Sequence, residues 1–495
     1  GSTPPAPARR RPYAGSMTEQ NSDTAHTSDR GVEQFDLIIV GSGSGNSLIG
    51  EQWADRRVAI VDDGVFGGTC LNRGCIPTKM YAYPASLAAA SADAARVDVQ
   101  LPAGRVDFAA LRDRVFGRVD AISEAGLRFR RDEQEHVTVV AERARFTGPR
   151  ELVTDSGRRL RGAQVVVAAG SRPTLPELPG LAGPRVHTSD TIMRLEELPE
   201  RLVVMGGGFV GAEFASVFSA FGTQVTQVVR GARLLSAHDE TVARTFTRIA
   251  AEQWDLRLET QVAGVEDTDD AARVRLSDGS TIDADLVLVA TGRTPNVDRI
   301  DAAAAGFDVT EDGVLAVDRF QRVLADGEPV PGVWALGDIA NTWQLKHVAN
   351  YEARVVAHNL ENPERLRAAD LDPVPAAVFT RPQIAAAGLT EAQAVARLGA
   401  DRVTVKEQGF GDVAYGWAME DTEGICKLVA DRETGRLLGA HLIGPDAANL
   451  IQPLVQAMSF GLDAHTMARG QYWIHPALSE VVENALLGLD VPAPL

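Results

Sequence analysis

Gly67-Gly68-Thr69-Cys70-Leu71-Asn72-Arg73-Gly74-Cys75-Ile76-Pro77-Thr78-Lys79 decides how this 495-residue chain is read. Four residues separate its two cysteines, and a glycine-rich nucleotide-binding pattern precedes them. A zinc site commonly takes four ligands in paired Cys-x-x-Cys spacings, and Cys426 is the only other cysteine. No metal is expected. The context favours a dithiol that cycles with a disulfide; two ordinary buried thiols are the plainer alternative.

Upstream, Asp36-Leu37-Ile38-Ile39-Val40 has the unbroken apolar character of a buried parallel strand. It runs into Gly41-Ser42-Gly43-Ser44-Gly45-Asn46. Gly41 permits a tight turn, and Gly43 lets the backbone approach a pyrophosphate at a helix N-terminus. Asn46 stands where a third glycine would pack that helix on the strand. Val58-Ala59-Ile60-Val61-Asp62 supplies a second strand whose terminal acid suits a ribose hydroxyl.

The pattern recurs. Leu202-Val203-Val204-Met205 precedes Gly206, Gly208 and Gly211, and this time all three fingerprint glycines are present. The next strand, Gln224 to Val229, ends in Arg230, with Arg233 three residues on. Arginine in place of an acid accommodates a 2′-phosphate, so this unit is expected to prefer NADPH. Two nucleotide units in one chain imply a bound flavin in one and a diffusible nicotinamide in the other.

From about residue 34 onward the chain resembles the flavoprotein disulfide reductases, the pyridine nucleotide–disulfide oxidoreductase family, whose redox segment reads GGTCLNxGCIPTK. The resemblance continues in Val165–Gly170 and Leu286–Gly292, which look like the strand-turns closing each unit, and in Val333-Trp334-Ala335-Leu336-Gly337-Asp338. It implies FAD and NADPH as cofactors, with Thr69, Gly292, Gly337 and Asp338 at the nucleotides. It implies a Cys70–Cys75 redox disulfide, with Cys75 near the flavin and Cys70 attacking substrate. A helix opening after Cys70 would favour the thiolates. Lys79 should pair with Glu213. In Tyr472-Trp473-Ile474-His475-Pro476-Ala477-Leu478-Ser479-Glu480, His475 would be an acid/base oriented by Glu480, serving the disulfide of the other subunit of a homodimer. His347 either caps the helix facing the flavin or packs there.

The fold expected is α/β plus α+β, with two Rossmann-like nucleotide-binding domains and a C-terminal dimerisation domain. Residues 1–33 form a polar, disordered leader; residues 34–170 and 299–370 make the FAD domain, interrupted by an NADPH domain over 171–298. Residues 371–495 form the dimerisation domain. Cys426, in a strand-like stretch, is expected to be a buried structural thiol.

Composition limits the function. A net charge of −18 argues against nucleic acid or an anionic membrane as partner. No apolar run reaches the roughly 18 residues of a membrane span. Three cysteines are too few for a secreted disulfide scaffold, so the cytoplasm is the default. The last residues carry no cysteine pair, which points to a small-molecule disulfide reaching Cys70 directly. Within the family, Gly41–Ser47, Lys346–Val356, Val413–Thr422 and Gly470–Leu478 most resemble the branch acting on mycothione. The alternatives are a dihydrolipoamide dehydrogenase-like enzyme using NAD, against which Arg230 counts, and a non-catalytic redox-sensing flavoprotein subunit.

Overall fold

The computed structural model describes residues 31–492. The expected disordered leader lies outside those residues except for its last three, and Glu33 already opens the first strand, Glu33–Val40. That strand is central to a sheet ordered Arg322–Ala325, Glu328–Ala335, Arg159–Val167, Glu33–Val40, Val58–Val61, Val137–Val140. Its core pairings are parallel: Leu37 faces Val58 on one side and Gln164 on the other, and Val165 faces Val333. Both faces are covered, so the strands are apolar throughout. Leu37, Ile38, Ile39, Val58, Ala59 and Ile60 are fully buried, each large side chain stabilising by roughly 1.5–3 kcal/mol. On one side of this sheet lie α1 (Gly68–Arg73), α2 (Cys75–Ala88) and the long α3 (Phe108–Asp132).

The first glycine fingerprint does not open into an α-helix. The chain makes two short 3-10 turns instead, Ser44–Leu48 and Glu51–Trp53, with Gly50 between them. The cause is Arg130 on α3. Its guanidinium donates to the Asn46 and Ile49 carbonyls at 2.9 and 3.3 Å and to Asn46 Oδ1 at 2.8 Å. Carbonyls that a continuing helix would use internally are thereby taken by a distant side chain.

The second unit follows the expected pattern. Asp255–Arg257, Gln224–Val228, Arg201–Met205, Leu286–Val289 and Val186–His187 form an all-parallel sheet. Here α4 (Phe209–Ala220) starts directly after Gly208. Then α5 (Glu240–Gln253) is capped by Asp239, whose side chain accepts from Thr241 N, and it buries Val242, Phe246, Ile249 and Ala250 along one stripe. The chain enters and leaves this unit through a two-stranded ribbon, Ser171–Pro173 against Arg293–Pro295. It then returns to the first sheet, which is why one sheet holds strands from both ends of that excursion. After α6 (Lys346–Glu361) comes an antiparallel five-stranded sheet, Pro375–Val378, Gln383–Gly388, Leu437–Gly444, Ile425–Asp431 and Val403–Gly409, with α7 (Ser479–Leu487) packed against it. Cys426 is fully buried there, and burial pushes its thiol up to about 12.

A buried ion cluster joins the second unit to this last sheet. Lys427, 3 % exposed, lies 2.9 Å from Asp239 and 2.7 Å from Glu391, and its ammonium donates to Thr241 Oγ1. Removing one partner leaves a desolvated carboxylate without its cation. Lys427→Met is therefore expected to destabilise the protein by about 3–5 kcal/mol. Arg273→Met, whose pair with Asp283 is exposed on both sides, should cost under about 1 kcal/mol. Denaturant midpoints of the two variants would separate them.

Candidate active site

A deep cavity lies where the first fingerprint, the redox segment and the N-terminus of α6 converge. It brings together Gly41, Gly43, Asp62, Thr69, Cys70, Cys75, Lys79, Glu213, Gly337 and Asp338. Backbone geometry builds its floor. Gly41 has φ +108°, and a Cβ there would overlap the Ala168 carbonyl. A Cβ on Gly68 would come within 2.7 Å of Gly43 Cα, so the redox segment lies directly on the fingerprint turn. Ser42 Oγ accepts from Gly67 N at 3.0 Å, fastening the two. Asp62 Oδ2 accepts from Ser42 N at 2.6 Å.

The helix expected after Cys70 opens at Cys75. Cys70 lies inside the short α1, Gly74 breaks the path at φ −136°, ψ −125°, and Cys75 is the first residue of α2. The amides at that end face Cys75, the position the helix dipole favours for a negative sulfur. The two thiols share a hydrogen bond, which splits their acidities. Cys75 is lowered to about 6, first by the bond from Cys70 and then by the charge of Lys79. Cys70 is raised by the same bond and by burial, while Lys346 pulls it the other way.

Lys79 follows Cys75 by one helical turn, and its ammonium donates to both oxygens of Glu213 at 2.8 and 2.9 Å. Glu213, on α4, is 3 % exposed and also accepts from Phe379 N at 2.8 Å. Lys79 Nζ additionally lies 4.7 Å from the Phe379 ring centroid. At the opposite side of the cavity, Asp338 accepts from Ser171 Oγ at 2.6 Å.

The donor set fits FAD. A glycine-lined turn leaves room for a pyrophosphate, Asp62 and Asp338 offer carboxylates to ribose and ribityl hydroxyls, and Asp190 Oδ1 is buried in the wall without a partner. The second unit fits a pyridine nucleotide. Gly206 (φ +120°) turns tightly at the foot of α4, Gly208 has open space beside it, and a Cβ on Gly211 would lie 2.5 Å from the Gly206 carbonyl. Gly292, also at positive φ, ends the neighbouring strand-turn. Arg230 is exposed and makes no ion pair among the described residues. Arg233 Nε is buried without a partner, and its guanidinium is 3.7 Å from Glu240.

His475 and Glu480 are together but apart from this cavity. His475 Nδ1 is 2.6 Å from Glu480 Oε1, and Glu480 Oε2 accepts from Ala477 N. The hydrogen bond from His475 holds the Glu480 carboxyl below its usual range. The His475 side chain is 71 % exposed, and Tyr472 and Ile474 beside it are also exposed. His347 is not at the cavity: its Nε2 lies 2.7 Å from the Pro375 carbonyl, because the first turn of α6 directs it toward the last sheet. Its neighbour Lys346 lines the cavity instead.

Residues 35–353 match the family described as pyridine nucleotide-disulphide oxidoreductase, and residues 374–486 match its dimerisation domain. The chain belongs to this family. It is 53% identical to the mycothione reductase of Mycobacterium tuberculosis (strain ATCC 25618 / H37Rv), over 92% of this chain and all of that protein. A glutathione reductase of Nostoc sp. is 30% identical, covering 90% of this chain and 98% of its own. Among solved structures, the HOCl-induced flavoprotein disulfide reductase RclA from Escherichia coli superimposes with a TM-score of 0.79 at 27% identity, over 92% of this chain and 99% of that one. The protein is thus an FAD-dependent disulfide oxidoreductase with FAD and NADPH as cofactors and a dimerisation domain.

Among the cavity residues that escaped the sequence reading are Arg73 and Asp190, which pair at 3.0 Å, Arg293, and Lys346. Buried Glu352 was missed too; it accepts from Gly337 N at 2.7 Å, and burial pushes it up to about 7. One signal was available for Lys346. The chain has only four lysines, and two of them face this cavity.

In the reduced protein, alkylation of Cys75 by iodoacetamide should rise through a midpoint near pH 6. Lys79→Met should move that midpoint up by about half to one pH unit. Peptide mass spectrometry reads this directly, because trypsin cuts at Arg73, between the cysteines.

Proposed function

We propose that the enzyme reduces mycothione to two mycothiols through Cys70 and Cys75. The observation that carries this reading is that Cys70 and Cys75 line the cavity whose donor set fits FAD, and likeness to a mycothione reductase narrows the substrate. Held by the Gly41–Gly43 turn, Asp62 and Asp338, FAD would supply the two-electron chemistry that links NADPH to the Cys70–Cys75 disulfide. The chain's own residues do the rest. Lys79, fixed by Glu213, keeps Cys75 as a thiolate. Cys70, once deprotonated, attacks one sulfur of the substrate disulfide; that bond breaks, a first thiolate leaves, and a mixed disulfide forms on Cys70. Cys75 then attacks the Cys70 sulfur, releases the second thiolate and restores the Cys70–Cys75 disulfide.

Each departing thiolate needs a proton, and Cys70 needs a base. We assign both tasks to His475 of the partner subunit, oriented by that subunit's Glu480. Support comes from the exposure of His475 away from its own cavity, on a dimerisation domain with apolar neighbours. Tyr472 and Ile474 would be covered in the dimer. Arg230 and Arg233 are assigned to the 2′-phosphate of NADPH; the unpartnered Arg233 Nε supports this. Asp62 is assigned to the FAD ribose, Thr69 to the FAD phosphate region, and Asp338 to the ribityl chain. The cytoplasm is the proposed location, since three cysteines are too few for a secreted disulfide scaffold.

Steady-state NADPH oxidation with mycothione, glutathione disulfide and lipoamide tests the assignment. Turnover with mycothione alone is expected; activity confined to lipoamide with NADH would overturn the substrate. Cys70→Ser should abolish turnover, and His475→Ala should lower it by about 10²-fold or more. Arg233→Ala should raise the KM for NADPH about ten- to hundredfold while leaving that for NADH unchanged.

A further inference from the structure

Seven cations line the cavity that holds the cysteines. Six of them, Arg73, Lys79, Arg143, Arg172, Arg293 and Arg299, each have a carboxylate within 4.0 Å. The seventh, Lys346, has none within that distance among the described residues; its Nζ donates to a hydroxyl instead. It is the first residue of α6, and the preceding Leu345 offers no side-chain acceptor to the first amides of that helix. An ammonium at the start of a sixteen-residue helix also opposes the helix dipole. The uncapped amides and the ammonium together call for an anion in the cavity.

Side-chain contacts hold that ammonium at the first fingerprint turn. Lys346 Nζ donates to Ser44 Oγ at 2.9 Å, and Ser44 Oγ donates to Asn350 Oδ1 at 3.4 Å, one turn along α6 from Lys346. The Ser44 hydroxyl proton is thereby engaged within the protein, whereas the ammonium keeps two donors. The turn itself is short of positive charge. Ser44–Leu48 is a 3-10 turn of five residues, held so by Arg130 at the Asn46 and Ile49 carbonyls. The long run of aligned peptide dipoles that ordinarily faces a dinucleotide phosphate does not form there. We propose that Lys346 binds the pyrophosphate of FAD, its ammonium supplying beside Ser44 the positive charge that a helix opening from the fingerprint would have given. The pyrophosphate carries the negative charge of FAD, and the Gly41–Gly43 turn next to Ser44 leaves room for it. The role requires FAD in the cavity and is independent of which disulfide the enzyme reduces.

Retention of FAD tests the role. Release from the holoenzyme is followed by the fluorescence of the freed flavin, at low salt and over a series of sodium chloride concentrations. Lys346→Met and Lys346→Gln should release FAD about ten- to hundredfold faster than the parent at low salt. Lys346→Arg, which keeps the charge, should stay close to the parent. Added salt should speed release from the parent more steeply than from the neutral variants. Glutamine keeps a donor for Ser44 without the charge, so matching losses in both neutral variants isolate the charge from packing. The visible spectrum and reduction potential of the flavin that remains bound should match the parent's. Unchanged release in Lys346→Gln would overturn the proposal, and so would equal acceleration in Lys346→Arg. A shifted flavin potential with unaltered release would overturn it as well, placing the charge at the isoalloxazine ring.

Discussion

One carboxylate holds the site together. Glu213 is almost wholly buried on the first helix of the second unit, where a lone negative charge would be costly. It is tolerated because Lys79 from the redox helix donates to both its oxygens and Phe379 donates a backbone N–H from the start of the last sheet. Three separately folded sheets therefore meet at one charge. The requirement to satisfy it fixes the height and rotation of α2, and with them the places of Cys75 and Lys79.

The rest of the chemistry follows from unequal surroundings given to equal groups. Two cysteines five positions apart share one hydrogen bond, yet only Cys75 begins a long helix and has Lys79 on the next turn. Cys70 lies within a short helix, and burial and its partner thiol raise it. The same contrast separates the two nucleotide units. Asp62 receives backbone amides at the end of its strand, whereas Arg230 and Arg233 stand at the corresponding edge of the second.

Much of this was legible along the chain. Parallel strands buried on both faces need uninterrupted apolar runs, and Leu37–Val40 and Leu202–Met205 show them. The tight turn after each strand needs glycine, and both turns have it. The reading of the first fingerprint as a helix start failed because Arg130, 84 residues away in sequence, takes the Asn46 carbonyl and side chain. Nothing local to Gly41–Asn46 announces that competitor. His347 and Lys346 are adjacent in sequence, and histidine has the more familiar chemistry. Which of them reaches the cavity depends on the rotation of α6, a property of its packing.

By itself the sequence determined the local backbone: where strands run, where only glycine can turn, and which short spacings place Cys75 and Lys79 on one helical face. Those outcomes depend on sterics and periodicity within a few residues. Tertiary structure decided which distant groups meet: Glu213 with Lys79, Arg130 with Asn46, Lys427 with Asp239, and Lys346 with Ser44. Burial and charge act through space, so the acidity of a thiol or the cost of a carboxylate is set by neighbours that chain order does not reveal.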